Sequence, residues 1–91
     1  MEIWSNKEHD FGNVQQGSTQ RVEMTYTGTK KILEIEPLCN CVGYKFEDNK
    51  LLLTWKIRKN IVTEYQSTKI VAVIYEDGSI DDLTLKAYIR L

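Results

Sequence analysis

Residues 51–58 read LLLTWKIR, and their spacing decides the fold. Leu51, Leu53, Trp55 and Ile57 fall on one side of an extended chain, with Thr54, Lys56 and Arg58 on the other. Successive side chains of a strand point to opposite faces, so this period of two marks a half-buried β-strand. The same period recurs outward in both directions. In DLTLKAYIRL (82–91), Leu83, Leu85, Ala87, Ile89 and Leu91 alternate with Thr84, Lys86, Tyr88 and Arg90. In TQRVEMTYTG (19–28), Val22, Met24 and Tyr26 oppose Arg21, Glu23 and Thr25; in ILEIEP (32–37), Leu33 and Ile35 alternate with Glu34 and Glu36. KIVAVIY (69–75) is apolar on both faces and rich in β-branched residues, as a central strand is.

Turn signals separate these runs. Asp77-Gly78, Thr27-Gly28-Thr29 and Asp48-Asn49 combine residues that favour tight reversals. No window carries a helical period. The spacing predicts an all-β chain: a single immunoglobulin-like antiparallel β-sandwich of about seven strands, in one domain over residues 1–91.

Bulk properties narrow the function classes. Ninety-one residues make one modest core and leave little room for an enclosed catalytic cavity. Twelve basic against thirteen acidic residues, a net charge of -1, provide no drive toward nucleic acid or anionic lipid. No apolar run approaches the roughly 20 residues that cross a bilayer, and MEIWSNKEHD has neither the basic start nor the apolar stretch of a signal peptide. The expectation is a cytoplasmic or virion protein with reduced thiols, working through a protein partner or a homo-oligomer, with no nucleic acid and no membrane.

Cys39 and Cys41, in EPLCNCVGYKF (36–46), are the strongest chemical candidates. Residues i and i+2 of a strand point the same way, about 6.6 Å apart at Cα. That is the far edge of disulfide geometry, so a bridge requires a kinked loop. Two thiols and the single His9 fall short of a closed four-ligand zinc site, whereas two thiolates suffice for a Cu(I) clip. Set against this metal or redox reading is a packing one, with two small hydrophobes lining a loop. Trp4, Tyr44, Tyr65 and Tyr88 are the aromatics that the core explains least, and surface aromatics anchor protein interfaces. Trp55 reads as a core residue.

Other patterns weigh toward structure. Asp10-Phe11-Gly12 has the letters of a kinase magnesium motif without any other kinase element, so Phe11 is read as packing and Gly12 as a turn. Glu76, Asp77, Asp81 and Asp82 lack the spacing of an EF-hand and read as a solvated turn. Lys56, Arg58 and Lys59 read as a soluble strand face. Neither a nucleophile elbow nor a phosphate-binding glycine loop is present, so the chain reads as non-enzymatic.

The stretch HDFGNVQQGSTQRVEMTYTGTKKILEIEPLCNCVG (9–43) resembles the opening of a bacterial Ig-like domain family of unknown function, similar to Hydin-type and major-sperm-protein-like sandwiches. The resemblance rests on Asp10, Phe11, Gly12, Val14, Gly17, Tyr26, Thr27, Gly28, Cys39 and Cys41. Asn40 stands where the family has Gly between the cysteines, and Asp48-Asn49 replaces a Pro-Gly turn. Stand-alone copies without an export signal look like those in phage genomes, which implies a small structural or accessory subunit of a larger assembly such as a phage virion. The alternative is a thiol-based Cu/Zn-binding or redox module using Cys39 and Cys41.

Overall fold

The alternating stretches become seven strands in the computed structural model, which describes residues 3–91. They are β1 (Glu8–Gln15), β2 (Thr19–Thr25), β3 (Ile32–Pro37), β4 (Val42–Glu47), β5 (Lys50–Lys56), β6 (Tyr65–Tyr75) and β7 (Ile80–Arg90). No helix occurs among the described residues, and so none that is long and apolar enough to cross a membrane. Two sheets form, ordered β1-β7-β6-β3 and β2-β5-β4. The inward positions of both sheets merge in one core. Leu51, Leu53 and Trp55 of β5 and Leu83, Leu85, Ala87 and Ile89 of β7 are buried, as their spacing predicts. Between the sheets they meet Met24, Ile35, Val42, Val71 and Val73.

Local chemistry sets the connections. Asp48 and Asn49 both take positive φ, 52° and 62°, and form the two-residue link between β4 and β5. Such a pair matches the twist of the strands it joins, and Asx residues tolerate it better than most. Asp77-Gly78 lies in the β6–β7 turn, with Gly78 at φ 86°.

Four expectations are corrected. First, β1 runs parallel to β7, so the fold is not antiparallel throughout. Alternation reports which face is buried, not which way a neighbour runs. Second, Gly12 lies inside β1 at a bulge between Asp10 and Asn13 rather than in a turn. Its φ of 72° and the hydrogen bond from its N–H to Asp10 Oδ1 (2.8 Å) create the kink. Third, the register of β3 slips between Ile32 and Glu34. That extra residue turns Leu33 outward beside Glu34, away from the core face its alternation implied.

Fourth, Trp4 is not a surface anchor. It is 1% exposed, in the core. Its segment pairs with the end of β2: Ser5 N–H donates to Thr25 O (2.8 Å), and Thr27 N–H to Ile3 O (2.6 Å). The indole then packs on Tyr26 and Phe46, with ring centroids 5.0 and 6.5 Å away. Burying so large a ring requires a partner for its N–H, and the Tyr75 hydroxyl accepts it at 2.8 Å.

Candidate functional site

Two surfaces stand out, one apolar and one cationic. The first is the outer face of the four-stranded sheet. Val71, Val73 and Tyr75 of β6 point inward, so Ile70, Ala72 and Ile74 point outward. The register sets Glu34 and Ile80 on either side of Ile74, and Glu36 and Asp82 on either side of Ala72. Leu38 donates its N–H to Ile70 O (3.0 Å) and so extends this row just past the end of β3. The result is an aliphatic stripe across three strands. Leu38 is 62%, Ile80 59% and Ile70 36% exposed. Glu34, Glu36 and Asp82 border it and form no ion pair among the described residues.

KIVAVIY is therefore central within its sheet, as its composition predicts, but its second apolar face is uncovered. A two-layer fold buries one face of each sheet. A strand apolar on both faces, in a fold whose described strands make two layers, was the available signal for this surface.

The second surface lies where the Cys39–Cys41 loop meets the end of β5 and the start of β6. The two cysteines form a disulfide across a Cα separation of 5.2 Å, made possible by the turn between β3 and β4. Val42 N–H donates to Cys39 O (3.1 Å), and Lys56 N–H to Cys41 O (2.9 Å), which fixes the loop against β5. The bridge stands in place of the free thiols that a metal clip would use. Cys39 and Cys41 are bonded to each other and present no thiolate to Cu or Zn, and no group of three His, Cys, Asp or Glu capable of holding a metal ion occurs among the described residues. It also departs from the reduced thiols expected from the N-terminal sequence. His9 lies on β1 with its ring edge-on to Phe11, centroids 4.6 Å apart.

Beside the bridge is a cleft of about 540 Å³. Buried Trp55 and Ile89 contribute its apolar part, with Tyr65; Lys56, Arg58 and Lys69 supply three cations, and no carboxylate lines it. Lys59 is not part of the lining. The basic run is thus divided between the cleft and the surface.

The expected aromatic anchors do not converge. Tyr65 lines the cleft. Tyr88 points from the opposite face of β7, opposite Gln66 rather than Tyr65. Tyr44 sits on β4, in the other sheet, across from Leu53. With Trp4 buried, these four residues make no common patch.

The acidic turn is internally satisfied. The Ser79 side chain and backbone N–H, and then Lys30, hold the Asp77 pKa down to about 2. Partial burial pushes the Asp81 carboxyl up, but hydrogen bonds from Tyr75 (2.7 Å) and Lys7 (3.1 Å) outweigh it and hold the pKa below the usual value. Burial, then the neighbouring Asp81, drives the Tyr75 hydroxyl well above its ordinary pKa.

The chain matches no family model, no curated protein and no solved structure.

Proposed function

We propose that this chain is a non-enzymatic immunoglobulin-like interaction module that docks the outer face of its four-stranded sheet onto a protein partner carrying apolar side chains with a basic border. Strand order supports the Ig-like reading. The β7-β6-β3 and β2-β5-β4 groupings follow the G-F-C and B-E-D order of the immunoglobulin sandwich, with β1 lying beside the last strand. The observation that carries the docking reading is the stripe of Leu38, Ile70, Ala72, Ile74 and Ile80 bordered by Glu34, Glu36 and Asp82. Contiguous exposed aliphatics cost solubility unless a partner covers them, and three carboxylates without an ion pair among the described residues favour a basic partner and disfavour an acidic one. The resemblance to the Ig-like family adds a setting: an accessory subunit of a larger assembly, such as a phage virion.

The test uses two synthetic peptides, one alternating Leu with Lys and one alternating Leu with Glu. Isotope-labelled protein titrated with the Lys peptide is expected to shift the amides of Ile70, Ala72 and Ile74, and an Ile70→Lys variant to lose that response. Equal responses to both peptides, or none to either, would defeat the docking reading. Sedimentation showing a dimer that Ile70→Lys dissolves would replace the foreign partner with a second copy of the chain.

A further inference from the structure

We propose that the cleft beside the Cys39–Cys41 bridge binds a small organic anion: an apolar body bearing a carboxylate or a phosphate. This rests on a different surface from the docking face and stands without it.

Charge distribution is the first argument. Lys7, Lys30, Lys45, Lys86 and Arg90 each pair with a carboxylate. Arg21, Lys31, Lys50, Lys56, Arg58, Lys59 and Lys69 form no ion pair among the described residues, and of these Lys56, Arg58 and Lys69 line one cleft. Like charges gathered on one concavity repel one another, and low-dielectric walls strengthen the field they create. The carboxylate next in sequence to Tyr65 offers no relief. Glu64 accepts from Arg90 Nε (2.7 Å) and Leu91 N–H (3.2 Å), and these contacts hold its pKa below the usual value.

Construction is the second argument. Gly17 N–H donates to Arg58 O (3.2 Å), and Lys56 N–H to Cys41 O (2.9 Å), so two of the cations grow from an anchored backbone. Lys69 comes from the middle of β6, held by pairing with Leu85. Lys56 and Arg58, at and just past the end of β5, and Lys69, from β6 in the other sheet, thus all border the same cleft. Below them lie Trp55, Ile89 and the Tyr65 ring. A volume of about 540 Å³ lined by both apolar and cationic residues has the make-up of a small-molecule site. An inorganic anion would satisfy the charges and leave the apolar surface unused. An apolar molecule without charge would leave the cations unneutralised.

Four probes separate the possibilities: phenyl phosphate, benzoate, inorganic phosphate and benzylamine. Titrated into the intact, oxidised protein, phenyl phosphate or benzoate is expected to shift the amides of Cys41, Arg58, Ser67 and Lys69 saturably. The tighter of the two identifies the charged group. Inorganic phosphate is expected to bind more weakly, and benzylamine not at all. Lys69→Glu is expected to weaken the better anion about tenfold or more, in keeping with loss of a charge-assisted contact, and Arg58→Gln to weaken it less. Arg58 is exposed and Lys69 half-buried, and amide shifts outside the cleft verify that each variant is folded. Benzylamine binding as well as the anions, unchanged affinity in both folded variants, or no saturable shift with either organic anion would each overturn the proposal. Inorganic phosphate binding as tightly as phenyl phosphate would remove the requirement for an apolar body and with it the site as stated.

Discussion

The indole of Trp4 donates its N–H to the Tyr75 hydroxyl at 2.8 Å, across 71 positions of sequence. Tyr75 in turn donates to Asp81 (2.7 Å), which receives Lys7 (3.1 Å). This chain of contacts joins the N-terminal segment to the β6–β7 turn and buries the largest side chain near the start of the protein. Trp4→Phe removes the donor but keeps an aromatic ring. It is expected to cost about 1–2 kcal/mol, because Tyr75 still has Asp81 as a partner. Trp4→Ala also removes the ring and is expected to cost about 3–5 kcal/mol. Urea unfolding of both variants decides the matter. A Trp4→Ala loss no greater than that of Trp4→Phe would show that the ring contributes nothing to the core.

The same network makes stability depend on pH at both extremes. Asp77 and Asp81 titrate below their unfolded value of 3.8, so each binds its proton more weakly in the folded state. Their contribution is fully present above that value and is lost as pH falls toward about 2, where Asp77 titrates. Tyr75 titrates above its unfolded value of 10.0, so its contribution holds below that pH and declines as pH climbs beyond it. Denaturation midpoints across the acid range are expected to flatten in an Asp81→Asn, Asp77→Asn variant. In alkali, phenolate absorbance is expected to show one late-titrating tyrosine that Tyr75→Phe removes. A Tyr75→Phe titration superimposable on that of the parent protein would contradict this.

Gly28 is set by a close approach rather than by its backbone angles. A methyl group there would lie 2.6 Å from the Tyr26 hydroxyl oxygen and 2.7 Å from its ring. The ring has no room to retreat. It packs on Trp4 and stacks on Tyr75 at 6.0 Å, and its hydroxyl donates to Lys30 O (2.7 Å). Gly28→Ala is expected to destabilise by about 1–3 kcal/mol, and a Tyr26→Phe background to relieve part of that loss. Equal penalties for Gly28→Ala in both backgrounds would place the strain elsewhere.

The disulfide spans only two positions of sequence. A ring of three residues constrains the unfolded chain little, and the entropy argument assigns it at most about 1.5–2 kcal/mol. A thiol assay on unfolded, unreduced protein is expected to find no free thiol, and two after reduction. Replacing Cys39 and Cys41 together with Ser is expected to leave a folded protein with a modest loss of midpoint. Failure of that variant to fold would show that the loop depends on its bridge.

Much of the architecture was legible in the sequence, for a definite reason. Leu51, Leu53 and Trp55, and the run from Leu83 to Ile89, sit on regular strands where period two maps directly onto the inside of a sheet. Asp48-Asn49 was legible because a tight hairpin requires residues that tolerate positive φ. What escaped notice was governed by partners distant in sequence. Leu33 changed face because β3 is bulged against β6. Trp4 has no alternating neighbours, and its burial depends on Tyr26 and Tyr75. The cationic cleft draws Lys56 and Arg58 together with Lys69 from different strands, and no local pattern records that.

The parallel pairing of β1 with β7 has a mechanical consequence. Both strands run in one direction along a body 44 Å long, with Lys7 tied to Asp81 and Thr84 at one end of the pair and Gln15 beside Arg90 at the other. Tension applied between the segment before β1 and Leu91 pulls these neighbours past one another lengthwise. Their hydrogen bonds are then strained together in shear instead of being opened singly as in a zipper. Within that clamp the slack lies at Gly12, where the bulge interrupts the ladder between Asp10 and Asn13.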